Sequence, residues 1–192
     1  MDTKELNALK DRAYKTAIAH GFHEEEKPDA FWLGLVMSEM GEAINADRKG
    51  LHANVVRFVE DMELGNPFKD SFERHIKDSL EDELADIVIR LLDFSGLKGY
   101  TLLISGFSAL PSTAIVDEFA KNGLPGTLLA LIGTLSDSLV DDSTEATVGL
   151  IINIFIDCFK KITGRDYDLL WFVKQKMRYN ELRPNSKGEK KY

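Results

Sequence analysis

Between residues 70 and 97, the apolar side chains Phe72, Ile76, Leu80, Leu84, Ile87, Val88, Leu91 and Phe94 recur at the spacing of one helix face. Strand-like alternation is sparse, and the same helical spacing governs most of the chain, which predicts an all-α fold. Helices are expected over about 4–20, 30–48, 70–97, 112–121, 125–139, 143–162 and 167–180. On the first, Leu6, Leu9, Ala13, Ala17 and Ile18 face inward and Gly21 is the stop. Asp29 is the expected cap of the second, which ends at Gly50. Residues 51–68 carry Gly65-Asn66-Pro67 and read as loop with a short helix. A length of 192 residues suits one domain able to bury a sizeable core. Its parts are a first helical half (1–99), additional helices (100–165), and a C-terminal helix with a basic tail (166–192) carrying Lys187, Lys190 and Lys191.

Two segments of the first half align without gaps to two of the second. Residues 33–44 match 128–139, and 83–89 match 146–152 in their apolar frame. Either a degenerate duplication or the generic likeness of amphipathic helices accounts for this. On both accounts, two helix pairs in one chain can close a helical bundle with a four-helix core.

Net charge is −8, from 24 Lys+Arg against 32 Asp+Glu, which opposes broad binding to nucleic acid polymers or anionic membranes. The longest uncharged stretch, between Lys98 and Asp117, is broken by Gly99, Gly106 and Pro111 and does not read as a membrane span. Met1 is followed by Asp2, Thr3 and Lys4, unlike a signal peptide, and Cys158 stands alone. A cytoplasmic, reducing location is therefore expected. An acidic chain of this kind can hold a polyanion only through a local basic patch or through metal ions.

Glu39 and Glu42 point along the same side of their helix as Trp32, Leu35, Ala43 and Ala46. Glu83 and Asp86, again three apart, lie beside the Leu80–Ile87–Phe94 stripe, and Arg90 and Asp93 continue that strip. Ionised carboxylates on apolar faces are costly unless cations compensate them. Two such pairs facing one core form a cage of hard oxygen ligands suited to Mg²⁺ or Mn²⁺. With no Glu-x-x-His, the di-iron bundle pattern is not met. The competing reading is that these acids form solvated intrahelical ion pairs of small worth. Glu24–Glu26 reads as a solvated loop, and His20, His23, His52 and His75 lack ligand spacing. Trp32, Trp171 and Cys158 read as packing residues.

The runs Ser38-Glu39-Met40-Gly41-Glu42-Ala43 and Glu81-Asp82-Glu83-Leu84-Ala85-Asp86 resemble the Glu-x-x-Glu … Glu-x-x-Asp signature of the MazG-like, all-α nucleoside triphosphate pyrophosphohydrolases. The ending Lys176-Met177-Arg178-Tyr179-Asn180-Glu181-Leu182-Arg183-Pro184 resembles the segment after the last helix of many of these proteins. The likeness covers about 5–97 and 166–192 and leaves the middle third unmatched. It implies Mg²⁺-dependent hydrolysis of a nucleoside triphosphate to the monophosphate and pyrophosphate. Glu39, Glu42, Glu83 and Asp86 would bind the metal and activate water, and Lys176, Asn180 and Arg183 would hold phosphates. The resemblance also implies helix pairing across a homodimer, whereas a true repeat would let one chain complete its own bundle. Ser38 stands where the signature has an acid, forty residues separate Glu42 from Glu83, and Lys187 stands where relatives often carry His before the Gly. A non-catalytic helical-bundle sensor of nucleotide or metal is the alternative function.

Overall fold

Asp2, Asn54, Ser79 and Asp168 each accept a bond from a backbone N–H two or three residues ahead, at 2.7 to 3.2 Å, and a helix starts after each. The computed structural model describes residues 2–104 and 112–183, with side chains described for all of these except 112–120. Among the described residues the chain forms eight helices and no strand: α1 (Thr3–Ala19), α2 (Asp29–Lys49), α3 (Val55–Glu63), α4 (Phe68–His75), α5 (Leu80–Lys98), α6 (Ser112–Ser138), α7 (Thr144–Thr163) and α8 (Leu169–Glu181). Gly50, Gly99 and Gly164 end α2, α5 and α7 in the left-handed conformation. The tail beyond Arg183, with Lys187, Gly188, Lys190 and Lys191, lies outside the described residues, as does 105–111 of the connector before α6.

Two local expectations are corrected. The helix expected over 70–97 is two helices, broken where Asp78 takes φ 62° and Ser79 caps α5. The sequence signal for this break is Ser79-x-x-Asp82, a helix start inside an otherwise continuous apolar stripe. Pro28, not Asp29, precedes α2, and the Asp29 carboxylate instead pairs with Lys98 at 2.9 Å. The two helices expected over 112–121 and 125–139 both fall within α6, where Gly123 (φ 66°, ψ −174°) leaves helical geometry and separates them by a kink two residues before Pro125.

α2 packs on α5, α5 on α7, α7 on α6, and α6 returns to α2. These four helices close a ring within one chain, the four-helix arrangement expected from the two apolar pairs. α1 and α8 cover the remaining sides of α5, so α5 is central and nearly all its residues from Leu80 to Ser95 are buried. No helix among the described residues is long and apolar enough to cross a membrane.

The excursion between α2 and α5 is pinned at its base. Leu80 N–H donates to the Leu51 carbonyl (2.9 Å), and Asn54 N–H donates to the His75 carbonyl (2.8 Å). Its outer part reaches α8, where Phe72 stacks on Tyr179 with ring centroids 4.6 Å apart and Phe58 meets Trp171 edge-on.

α1 lies directly against α5 at Gly96, where an added Cβ would stand 2.5 Å from the Tyr14 Cβ. Gly96→Ala should therefore destabilise the protein by about 1–3 kcal/mol despite its better helix propensity. Gly133→Ala, with nothing within 4 Å of the new methyl, should gain about 0.5–1 kcal/mol. Urea unfolding of the two variants reads both signs.

Candidate metal and phosphate site

The three acids that open α5 favour its positive N-terminal end. Glu81, Asp82 and Glu83 are nevertheless all buried, so each must be answered by a donor or a cation. Glu81 accepts from His52 Nδ1 and from Ala53 N–H, both at 2.9 Å. Asp82 Oδ2 accepts from Lys176 Nζ (2.7 Å) and from Asp78 N–H (3.0 Å), while Asp82 Oδ1 is buried without a partner among the described residues. Among the described residues Glu83 has no such partner; it lines a cavity.

That cavity, about 450 Å³, lies between α1, α2, α5 and α8, within the size range of small-molecule sites. Glu39 from α2 and Glu83 and Asp86 from α5 line it, and each offers an oxygen within 4.8 Å of the others. Glu42, one turn along α2, is exposed and lines the same cavity outside this cluster. The structure thus gathers three of the four predicted acids and leaves the fourth at the mouth. Asp78, Asp82 and Glu83 form a second, overlapping group of acids at similar spacing. There the Lys176 ammonium already supplies the compensating charge.

Lys176, Asn180 and Arg183 also line the cavity, but they divide the work differently from the sequence expectation. The buried Lys176 ammonium is 2.7 Å from both Asp82 and Asp86, so it serves the carboxylates rather than facing outward toward phosphates. Burial opposes its charge, but Asp86 and Asp82 together hold its pKa above the ordinary lysine value. Asn180 Oδ1 is buried without a partner among the described residues. Arg183 is exposed, and its carbonyl accepts from His20.

Sequence reading did not assign Asp82, Arg90 and Asp93 their partners. Arg90 Nε donates to Glu39 Oε1 at 2.9 Å and lies over the Phe22 ring. His23 Nε2 donates to Asp93 Oδ1 at 2.7 Å. The i, i+4 spacing of Asp82, Asp86 and Arg90 was the available signal, because it places all three along one edge of α5. His75 pairs with Asp61, and Trp32 and Cys158 are buried in the core.

The crowding of like charges raises the acids' pKa values. Burial first, then the charges of Asp82 and Asp86, push the Glu83 carboxyl up to about 8, against the pull of Lys176. Burial and Asp86 also raise Glu39, with Arg90 pulling back. Burial raises Asp82 despite Lys176. The donor set is all hard oxygen, which fits Mg²⁺ or Mn²⁺ and no thiolate-seeking metal.

The chain matches no protein-family model, no curated protein and no solved structure.

Folding raises Glu83 from 4.5 to about 8, so between those values the folded state holds a proton that the unfolded chain releases. This contribution to stability is complete below about 4.5 and is lost as pH rises through about 8. In EDTA the melting temperature should therefore fall from pH 6 to pH 8.5. Added Mg²⁺ should raise it more at pH 8.5, where no proton competes for the oxygens. A separate test concerns the buried ion cluster: Lys176→Met should cost about 3 kcal/mol or more in urea unfolding, and adding Asp82→Asn should recover part of that loss.

Proposed function

We propose that this chain is a Mg²⁺-dependent nucleoside triphosphate pyrophosphohydrolase acting in the cytoplasm. Water adds to the α-phosphorus and the bond from that phosphorus to the bridging oxygen breaks, yielding a nucleoside monophosphate and pyrophosphate. The observation that carries this reading is the convergence of Glu39, Glu83 and Asp86 from two helices in a cavity that Asn180 and Arg183 also line. The order of those residues along the chain is that of the MazG-like motifs, which supports the same class.

The chain's own residues divide into holders and orienters. Glu39, Glu83 and Asp86 would hold the ion, with Glu42 available at the mouth. Mg²⁺, when bound, supplies neutralisation of the triphosphate and a more acidic water. Arg90 fixes Glu39 and Lys176 fixes Asp86, so the oxygens are oriented before substrate arrives. Arg183, exposed at the cavity like Lys77, would meet the outer phosphates, and Asn180 brings a carboxamide to the same cavity. Phosphoryl transfer needs mainly such positioning and charge neutralisation. An acidic protein can thus hold an anionic substrate, the metal standing between the two.

Purified protein with Mg²⁺ should release pyrophosphate from at least one member of a panel of ribo- and deoxyribonucleoside triphosphates. Glu83→Gln and Asp86→Asn should each lower turnover by at least about a hundredfold, and Glu42→Gln at the mouth by less, while far-UV circular dichroism stays unchanged. Thermal stabilisation by Mg²⁺ with no turnover across the panel would instead favour a non-catalytic sensor.

A further inference from the structure

The acids of the cavity cluster at one end, its apolar lining residues gather toward the other, and the register along α5 orders the two. Asp86 belongs to the acid cluster, and Lys77 and Asp78 line the cavity on the side of the α5 N-terminus. Asp93 lines the same cavity seven residues further along α5, about 10 Å along the helix axis. The wall alongside is Ala13 and Ala17 of α1, Leu35 of α2, Ile89 of α5, and Phe22 from the loop before α2. α1 runs antiparallel to α5, with Tyr14 against Gly96 and Lys10 donating to the Tyr100 carbonyl. Ala13 and Ala17 therefore fall beside the Asp93 half. A part-apolar recess with a carboxylate in its wall and the Arg90 guanidinium over the Phe22 ring, one nucleoside's span from the acid cluster, suits a heteroaromatic ring carrying an N–H donor.

Asp93 is held in place before any ligand arrives. His23 takes Oδ1 at 2.7 Å, and the His23 ring is wedged between Tyr14 and Trp32, with centroids 5.2 and 4.6 Å away. The His23 side chain is 6% exposed, so neither ring nor carboxylate can readily turn. Among the described residues no other group bonds Asp93, a residue that lines the cavity, so its second oxygen is free to accept from a ligand there.

We propose that Asp93, with His23 as its positioning residue, reads the base of the substrate and selects nucleotides whose base carries an exocyclic amino group. This rests on the pyrophosphohydrolase reading of the same cavity. An amino group on cytosine, adenine or guanine donates to the free carboxylate oxygen. On uracil and thymine the only edge donor is a ring N–H flanked by two carbonyls, whose lone pairs face the carboxylate; the mismatch costs binding on both counts.

The test measures kcat/KM with Mg²⁺ for dCTP, dATP, dGTP, dUTP and dTTP, and calorimetric Kd values for the same five with Ca²⁺ in place of Mg²⁺. At least one amino-bearing nucleotide should outrank both dUTP and dTTP in the wild-type protein. Asp93→Asn presents a carboxamide that can turn an N–H toward a carbonyl, and should narrow that ratio by at least about tenfold. His23→Phe should narrow it through KM with kcat held, and His23→Gln should restore part of it. A wild-type preference for dUTP or dTTP overturns the proposal, as does an Asp93→Asn effect equal on all five. Absence of turnover with base-ranked binding would sink the catalytic reading and leave Asp93 its role. Turnover with a ranking insensitive to Asp93→Asn would do the reverse.

Discussion

α5 is packed by α1, α2, α7 and α8, and it carries five acids among residues 81–93. A helix enclosed on all sides cannot leave carboxylates to water, so each must be met by a group on another element. Much of the surrounding architecture serves that demand. His52 and the Ala53 amide meet Glu81, Lys176 of α8 meets Asp82 and Asp86, and His23 meets Asp93. Glu83 is the one left facing the cavity, with Glu39 and Asp86 close by. In this fold the site is the remainder of a charge-compensation problem: the place where the protein supplies one cation too few.

The ring of α2, α5, α7 and α6 shows how the second half contributes without bringing acids of its own to the cavity. Leu128, Leu131 and Leu135 of α6 and Val148, Ile151, Ile152 and Phe155 of α7 are buried in the core. At the positions aligned with Glu39, Glu83 and Asp86 stand Thr134, Ala146 and Gly149. The second helix pair therefore supplies apolar support to α2 and α5, and the acid-lined cavity lies on the side of them that α1 and α8 cover.

The helices and their inward faces were legible because period 3.6 survives wherever one stripe is buried. The acid pairs stood out for the same reason: Glu39 and Glu83 occupy positions where the stripe calls for apolar side chains. Periodicity failed where two helices shared one stripe, since the run from Phe72 to Leu84 passes through the Asp78 turn without losing register. It also failed for Lys176. Its spacing with Asn180 and Arg183 puts all three on one helix face, and all three line the cavity, but the direction of a lysine's head depends on which acids lie across the interface, and α8 is distant in sequence from α5. The pairing of His23 with Asp93 spans seventy residues and left no local trace for the same reason.

The excursion from Leu51 to Ser79 leaves and rejoins the body at almost the same point, tied there by Leu51 to Leu80 and by Asn54 to His75. Closing a loop whose ends already meet costs little more when it is lengthened, so this segment has a tethered root and a tip free to grow or shrink. One flank is not free: Phe58 and Phe72 lean on Trp171 and Tyr179 of the helix that carries Lys176. The appendage therefore acts as a buttress. Its outline can be redrawn without disturbing the acids, provided the two aromatic footings on α8 are kept.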